Sequence, residues 1–149
     1  MRAVVQRVNS AHVDVDGERI GEIGRGLLVY LGVGRNDDGD TSAWMANKVA
    51  GLRIFPDAQD RMSLDVRDVG GQVLVISQFT LYADVRRGRR PSFERAGEPE
   101  SAQAIYEQFC ENLRAAGPEV ATGRFRAHMR VQGQVDGPVT ILVDSNKTF

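Results

Sequence analysis

The sequence predicts an α+β protein: a curved antiparallel or mixed sheet, or a small β-barrel, with two main helices packed against it. Segments that alternate apolar and polar residues recur along the chain, as strands with one buried face do. Only two segments have the spacing of an amphipathic helix. Strands and helices do not alternate regularly along the chain, which argues against a doubly wound nucleotide fold. The length of 149 residues is typical of one domain, so residues 1–149 are expected to form a single unit.

The first part of the chain is predicted to form strands. Residues 2–8 and 11–15 alternate apolar and polar side chains. Asp16-Gly17 is a typical hairpin turn and leads into a third strand over residues 19–23. Residues 26–33 are apolar on both faces, which predicts a central strand covered on both sides.

The first helix is predicted over residues 43–52, after a polar turn at residues 36–40. Thr41 or Ser42 is expected to be its N-cap, since hydroxyl side chains accept hydrogen bonds from the first free amides of a helix. Its apolar residues recur at spacings of four and three and therefore share one face: Met45, Val49 and Leu52.

The middle of the chain is predicted to hold a short strand and a buried one. Residues 53–55 favour a strand stopped by Pro56, and residues 57–60 favour a loop. Gly70-Gly71 introduces residues 72–78, which favour a second buried strand.

The last part of the chain is predicted to contain a long loop, the second helix and two strands. Residues 84–97 form the polar loop, and residues 101–116 the helix. Strands follow over residues 127–135 and 139–143, joined by a turn at residues 136–138. The apolar stripe of the helix consists of Ala102, Ile105, Phe109, Leu113 and Ala116.

Composition excludes several classes of protein. With 19 basic and 20 acidic residues the net charge is −1, so a nucleic-acid surface must be local. The longest apolar run, residues 26–33, is far shorter than the roughly 20 residues of a membrane span. Cys110 is the only cysteine, which excludes an internal disulfide and suits a reducing cytoplasm. This cysteine and the two histidines, His12 and His128, are too few ligands for a zinc site built from several Cys and His. No metal or cofactor is expected.

Three segments are candidates for chemistry, each with a structural alternative. Ser77-Gln78-Phe79-Thr80 places polar side chains at the end of a buried strand, where they either act on a ligand or satisfy backbone groups. Residues 136–140 form either a plain turn or a rigid proline turn that aims carbonyls at a ligand. Residues 86–90 hold four arginines, which suit phosphates or simply face solvent. His128 lacks a visible orienting partner, and Cys110 is expected to pack in the core.

Seven stretches resemble the D-aminoacyl-tRNA deacylase family, in the family's order and over nearly the whole chain: residues 1–8, 24–29, 52–55, 77–84, 88–93, 122–125 and 136–140. The family's first signature, Ser-Gln-x-Thr, is complete at residues 77–80. Its second, Asn-x-Gly-Pro-x-Thr, matches at Gly137-Pro138 and Thr140. Val135 stands where the family usually has asparagine, which removes a side chain able to hydrogen-bond the turn.

The resemblance implies a homodimer of barrel-like subunits with an active site at each end of the interface. It also implies a cis Gly-Pro pair that reaches from one subunit into the pocket of the other. The carbonyls of Gly137 and Pro138 would then reject an L side chain and accept a D side chain. Arg7 matches the arginine that steadies this motif. Glycine has no side chain to reject, so glycine mischarged on tRNA(Ala) is also an expected substrate.

The implied activity is hydrolysis of the ester that joins a D-amino acid to the 3′-terminal ribose of tRNA, as quality control of translation. Ser77, Gln78, Phe79 and Thr80 are the implied catalytic residues, with backbone N–H groups around Phe79 and Thr80 stabilising the oxyanion. Either Thr80 or water assisted by the tRNA 2′-hydroxyl attacks, and water is favoured because no base for Thr80 is visible. Met129 matches a position near the terminal adenine. The residues assigned to acceptor-stem phosphates are Arg86, Arg87, Arg89, Arg90 and Arg124.

Two alternatives remain beside this function. The related deacylase that corrects L-alanine on tRNA(Thr) has threonine before the proline, so Gly137 argues against it. A non-catalytic RNA-binding module that uses the arginine loop would bind tRNA with strong salt dependence but without turnover. The complete Ser-Gln-x-Thr signature favours catalysis. No DNA or membrane partner is expected.

Overall fold

The sheet is organised around a long first strand in the computed structural model, which describes residues 1–149. Strand β1 (Arg2–Val15) pairs antiparallel with β2 (Glu18–Ile23) through its second half and with β3 (Gly26–Gly32) through its first half. The last strand, β8 (Arg130–Asp144), lies along the other side of β1. The two strands predicted for residues 2–15 are therefore one, because β8 pairs with both halves.

Two parallel pairings extend the sheet from β3. Strand β6 (Gln72–Ser77) pairs with β3, and β7 (Glu119–Thr122) pairs with β6. The sheet order is β2-β1-β3-β6-β7, with β8 added on β1. A separate hairpin joins β4 (Phe55–Pro56) to β5 (Met62–Leu64).

Both helices cover one face of this sheet. Helix α1 (Gly39–Ala50) lies in the connection between β3 and β6, and α2 (Pro99–Ala115) lies between β6 and β7. Tyr106 of α2 donates a buried hydrogen bond of 3.0 Å to the carbonyl of Val75. The largest core cluster joins side chains of both helices to alternate residues of β3 and β6, among them Leu27, Val29, Val73, Met45, Val49, Phe109 and Leu113.

The other face of the sheet curls over a second, smaller core of seven buried residues: Val8, Ala11, Val13, Ile23, Leu28, Leu74 and Ile76. At Gly21 of β2, a Cβ atom would lie only 2.7 Å from the carbonyl oxygen of Thr122 in β7. These two strands therefore approach closely without pairing, and the sheet almost closes into a barrel. The predicted fold class, including the central strand covered on both faces, is confirmed.

The predicted start of the first helix was wrong. Asp38 is the N-cap, and its Oδ1 accepts hydrogen bonds from the Thr41 amide at 2.8 Å and the Thr41 hydroxyl at 2.7 Å. Thr41 and Ser42 therefore lie inside the helix, where Ser42 is fully buried. The carboxylate satisfies an amide that would otherwise lack a partner, so the helix begins at Gly39.

The strand around Pro56 was also predicted wrongly. Pro56 does not stop the strand but pairs with Met62 in the β4–β5 hairpin. A proline is tolerated here because the hairpin is only two strands wide and each strand is an edge. Strands β5 and β7, of three and four residues, were not predicted.

The predicted turn between two late strands is instead an interruption within β8. Thr140 pairs with Gln6 and Val135 pairs with Val8, so the four residues 136–139 stand opposite Arg7 alone. Both halves of β8 run antiparallel to the same strand, which excludes a reversal of the chain between them. The extra residues leave the ladder and protrude from its edge.

No helix of the structure is both long and apolar enough to span a membrane.

Candidate active site

A short 3₁₀ turn, Phe79–Tyr82, follows β6 and carries most of the first signature. The Gln78 amide still donates to the carbonyl of Leu31 at 2.8 Å, so the turn starts from a fixed strand end. The Phe79 and Thr80 amides, at the beginning of the turn, donate to no backbone or side-chain acceptor of the chain. Two free N–H donors side by side are suited to an oxygen that gains negative charge. The side-chain amide of Gln78 donates to the hydroxyl of Thr80.

A polar network supports this turn from behind. Arg2 Nη1 donates to the carbonyl of Leu81 at 2.9 Å, and its guanidinium lies 4.8 Å from the centroid of the Tyr82 ring. The Tyr82 hydroxyl lies 3.4 Å from Oδ2 of Asp37, which also accepts from the Gly34 amide at 2.6 Å. Burial, followed by the charges of Asp37 and Asp144, raises the pKa of Tyr82 well above its usual range. Tyr82 is therefore a neutral hydrogen-bonding group that positions the turn.

A cavity of about 500 Å³ lies beside the turn. Ser77, Gln78 and Phe79 form one wall, and the segment from Phe125 to Met129 forms another. Eight of its 14 lining residues are hydrophobic, and its volume lies in the range of small-molecule sites. Met129 packs so closely over Gly123 that a Cβ atom there would lie 2.5 Å from its sulfur. The fold thus brings together Ser77, Gln78, Phe79 and Met129, while Thr80 does not line the cavity.

The second signature lies elsewhere on the same chain. The Gly137-Pro138 peptide bond is cis, and both residues are exposed. Gly137 has a φ of +120°, and an added Cβ would meet Val139 Cγ2 at 2.8 Å and Arg7 Nη2 at 3.2 Å. Neither these residues nor Thr140 line the cavity. A single chain therefore does not bring the two signatures to one pocket.

Arg7 holds the base of this protruding segment. Its Nη1 donates to the carbonyl of Ile54 at 2.7 Å, and its Nε lies 2.9 Å from Oδ2 of Asp136. The Nε–Asp136 contact is an ion pair without hydrogen-bond geometry. On the same strand pair, the side-chain amide of Gln6 donates to the Thr140 hydroxyl at 3.3 Å.

The arginine loop is closed at its base by two backbone hydrogen bonds between Asp84 and Ser92, of 2.8 and 3.0 Å. Arg86 forms an ion pair with Asp84, and its hydrogen bonds hold the pKa of that carboxyl well below its usual range. Arg87 and Arg90 form no ion pair and line a polar cavity of about 550 Å³. Arg89 is exposed outside that cavity.

Arg124 was grouped with the loop arginines from the sequence, but it lines a different cleft. That cleft runs between α2 and residues 122–125 and also contains Arg114. Arg126, close in sequence, lines the main cavity instead. The assignment of Arg124 to phosphate binding stays a prediction.

The two histidines and the cysteine add no visible catalytic pair. His128 lines the main cavity, yet no side chain of the chain orients it by a hydrogen bond. His12 lies 3.9 Å from Asp14, outside the cavity. Burial raises the pKa of the Cys110 thiol to about 11, so the thiol stays protonated at neutral pH and packs in the core.

Sequence reasoning missed several residues around the site. Phe125 lines the main cavity, Phe93 packs against Phe79, and Asp37 supports the turn from behind. Phe93 and Phe125 lie in stretches that resemble the family, so a signal for them existed. Asp37 gave no signal, because the Met1 amine and the Tyr82 hydroxyl that contact it come from distant parts of the chain.

The nearly closed sheet, the two free amides and the adjoining cavity together define a small α+β barrel with a pair of backbone donors at the edge of a pocket. A family model described as D-Tyr-tRNA(Tyr) deacylase matches residues 4–144, and the chain belongs to that family. The family resemblance found in the sequence is confirmed.

Relatives match over essentially their whole length. A D-aminoacyl-tRNA deacylase of Symbiobacterium thermophilum is 56% identical over 149 residues, which cover 100% of this chain and 99% of the relative. A protein of the same name from Thermotoga petrophila is also 56% identical, with 100% of both chains covered.

Solved structures share the fold. One described as a c-Myc DNA unwinding element binding protein is 41% identical, with a TM-score of 0.92 over 97% of this chain and 98% of the other. Another, described as a probable eukaryotic D-amino acid tRNA deacylase, has a TM-score of 0.84 at 17% identity and covers 95% and 97% of the two chains. The second likeness concerns the fold alone.

Proposed function

We propose that this chain is a D-aminoacyl-tRNA deacylase, a cytoplasmic hydrolase that cleaves the ester between a D-amino acid and the 3′-terminal ribose of tRNA. One observation carries the proposal. In a chain of this family, the complete Ser77-Gln78-Phe79-Thr80 signature ends a strand beside a cavity of about 500 Å³ and leaves two amide donors free. The step serves quality control of translation, and glycyl-tRNA is a second substrate because glycine has no side chain to reject.

Water is the nucleophile in the proposed mechanism. It adds to the ester carbonyl, and the Phe79 and Thr80 amides stabilise the negative charge on the carbonyl oxygen. The neighbouring 2′-hydroxyl of the substrate assists the water. The ester C–O bond then breaks, and the leaving 3′-oxygen takes up the proton that the attacking water loses, which leaves the free amino acid and the 3′-hydroxyl of tRNA. Ser77 and Gln78 line the cavity and orient the ester, while Thr80, outside the cavity, positions Gln78 by accepting a hydrogen bond from its side-chain amide.

Selection of the D-amino acid is assigned to the Gly137-Pro138 segment of a second copy of the chain. The segment is exposed, protrudes from the strand ladder and stays outside its own cavity. In a homodimer its carbonyls would face the α-carbon of the amino acid bound to the partner and exclude an L side chain. Arg7 and Thr140 support the segment through the contacts on β1.

The arginine loop is assigned to the acceptor stem of tRNA. Arg87, Arg89 and Arg90 form no ion pair, and guanidinium groups bind phosphate with a planar pair of donors. Arg86 contributes less, because Asp84 already neutralises it. Arg124 would contact the stem from the cleft beside α2.

The first experiment compares hydrolysis of D-tyrosyl-tRNA and L-tyrosyl-tRNA by the purified protein. We expect rapid release of tyrosine from the D ester and little from the L ester. Equal hydrolysis of both would leave an esterase and contradict the chirality mechanism. Tight binding of tRNA without release from either ester would favour the RNA-binding module.

The role of Thr80 is tested by Thr80→Ala. With water as nucleophile we expect reduced but measurable turnover, because the amide of residue 80 remains. Complete loss of turnover with unchanged tRNA binding and unchanged circular dichroism would instead identify Thr80 as the nucleophile.

A further inference from the structure

Two phenylalanines meet at the rim of the main cavity. Phe79 lines that cavity, and the residue is 56% exposed. Its ring centroid lies 5.0 Å from that of Phe93, with an angle of 63° between the ring planes. Such an edge-to-face pair leaves ring surface open for a third flat group.

The chain on either side of Phe93 lines the polar cavity of the arginine loop, although Phe93 itself does not. Phe93 stands between Ser92 and Glu94, and both of those residues line the polar cavity. Phe79, on the other ring, lines the main cavity. The two rings therefore connect the candidate catalytic pocket with a pocket that contains arginines.

The charge of the polar cavity is positive. It contains Arg86, Arg87, Arg90 and Arg95 against the carboxylates of Asp84 and Glu94. Arg86 and Asp84 neutralise each other. Of the remaining charges three are positive and one is negative, and none of them forms an ion pair within the described chain. No hydrophobic residue lines this cavity, which suits a charged and hydrated ligand.

We propose that Phe79 and Phe93 form a stacking platform for the base that precedes the terminal adenosine of the tRNA, and that Arg87 and Arg90 bind the phosphates leading to it. This inference rests on the proposed function and takes the terminal adenosine to lie in the main cavity, where Met129 is the residue matched to it. Proteins that bind single-stranded nucleic acid combine aromatic rings, on which bases stack, with arginines along the backbone. The order of main cavity, aromatic pair and arginine cavity along this surface matches that arrangement.

Two substrates distinguish an effect on base stacking from an effect on the catalytic step. D-tyrosyl-tRNA has the full 3′ end, whereas D-tyrosyl-adenosine has the same ester and terminal nucleoside without the preceding nucleotides. We expect Phe93→Leu to lower kcat/KM for D-tyrosyl-tRNA by roughly 5- to 150-fold, the usual effect of losing one stacked base. The kcat/KM for D-tyrosyl-adenosine should not change. Phe93→Tyr, which keeps a ring, should restore the activity on tRNA.

The arginines are tested by salt dependence. Arg87→Gln or Arg90→Gln should each reduce the slope of log kcat/KM against log salt by roughly one for tRNA, as expected for one lost phosphate contact. Arg19→Gln is the matched control: it removes the same charge from β2, where Arg19 is paired with Asp14 and Glu22. We expect no change of slope in this control.

Three results would overturn the platform but leave the proposed function standing. An equal loss on both substrates would show that Phe93 only packs the loop against the 3₁₀ turn. A shift from dimer to monomer in size-exclusion chromatography of Phe93→Leu would assign the pair to an interface between copies. Unchanged activity of Phe93→Leu on tRNA would exclude stacking. Failure of the unaltered protein to hydrolyse either D ester would overturn the proposed function itself, together with this inference.

Discussion

Gly137 is subject to two independent constraints, one in its backbone and one in its surroundings. Its φ of +120° lies where L side chains are rarely found. An added Cβ would also lie 3.0 Å from the Val139 amide nitrogen and 2.8 Å from its Cγ2. Glycine is therefore required here by the local geometry, whatever the segment binds.

Gly137→Ala should lower the free energy of unfolding by about 1–3 kcal/mol, the usual cost of a strained backbone residue. Hydrolysis of D-tyrosyl-tRNA should fall by roughly 10²-fold, because the neighbouring carbonyls must move. Urea unfolding and kcat/KM measure the two effects. Gly88→Ala is the stability control, since Gly88 has a φ of +131° but no neighbour within 4 Å of an added Cβ. Equal destabilisation by both variants would contradict steric crowding at Gly137.

Single residues were predictable where their role depends on position along a strand. Ser77 and Gln78 were expected at a strand end, and they form a cavity wall there. Arg86 was counted with the free arginines, although it is neutralised by Asp84 two residues earlier. That ion pair forms because the loop closes on itself at Ser92, and neighbouring residues alone do not determine such closure.

Among the secondary-structure elements, α1 depends on a charged cap. The hydroxyl and amide of Thr41 donate to Asp38 and lower the pKa of its carboxyl. Because folding lowers this pKa, the ionised carboxylate stabilises the folded state at pH values above the ordinary pKa range of a carboxyl group. That contribution is lost as the pH falls through the folded-state pKa.

Asp38→Asn keeps a side-chain oxygen that can accept the N-cap hydrogen bond but removes the ionisable carboxyl group. We expect wild type to be more stable than Asp38→Asn at pH 7, and this difference to shrink below about pH 4, where carboxyls protonate. Urea unfolding at a series of pH values measures it. Asp40→Asn, which removes a first-turn carboxylate without a cap hydrogen bond, should show a smaller change with pH. If the free energies of unfolding of wild type and Asp38→Asn differed by the same amount at all pH values, the result would contradict a charged cap.

The 3₁₀ turn permits a test of one backbone donor. Phe79→Pro removes the amide hydrogen at the first position of the turn, where proline's fixed φ suits a helical start. Phe79→Ala removes the same ring but keeps the amide. On D-tyrosyl-adenosine, Phe79→Pro should be roughly 10²–10³-fold slower in kcat than Phe79→Ala, the usual effect of losing one oxyanion donor. Equal rates would show that the Phe79 amide does not bind the oxyanion.

Strands and helices were predictable from the sequence where the spacing of apolar residues within the segment determines their bounds. Strands β3 and β6 and helix α2 fall close to their predicted bounds, because their apolar residues face a core on one side or both. Strand β8 was divided at Gly137-Pro138, since glycine and proline usually end strands. Its continuity depends on pairing with β1, more than one hundred residues earlier in the sequence.

For the whole molecule, the residue pattern predicted the class of fold, whereas only the family resemblance gave an expectation for the position of the two signatures. The main cavity is lined by the end of β6 and the segment before β8, whereas Gly137-Pro138 lies in the interruption of the β1–β8 ladder and does not line it. Net charge was equally uninformative, because a total of −1 conceals a local arginine cavity. Both features depend on contacts between distant parts of the chain.

A pocket shared between two copies is testable by complementation. If Gly137 acts on the partner's pocket, a heterodimer of a Phe79→Pro chain with a Gly137→Ala chain has one intact site and one doubly altered site. Purified by two different tags, it should recover about half of the wild-type activity, as a two-fold dimer with one working site predicts. Each parent homodimer should be nearly inactive.

The reciprocal heterodimer distinguishes the two arrangements. Wild type paired with a chain that carries both Phe79→Pro and Gly137→Ala has one altered signature in each shared pocket, so we expect it to be nearly inactive. Pockets built within single chains would give the opposite pattern: about half activity in this heterodimer and almost none in the first. Because the two heterodimers contain the same substitutions in total, a difference in activity between them reports only which chain supplies Gly137 to the pocket.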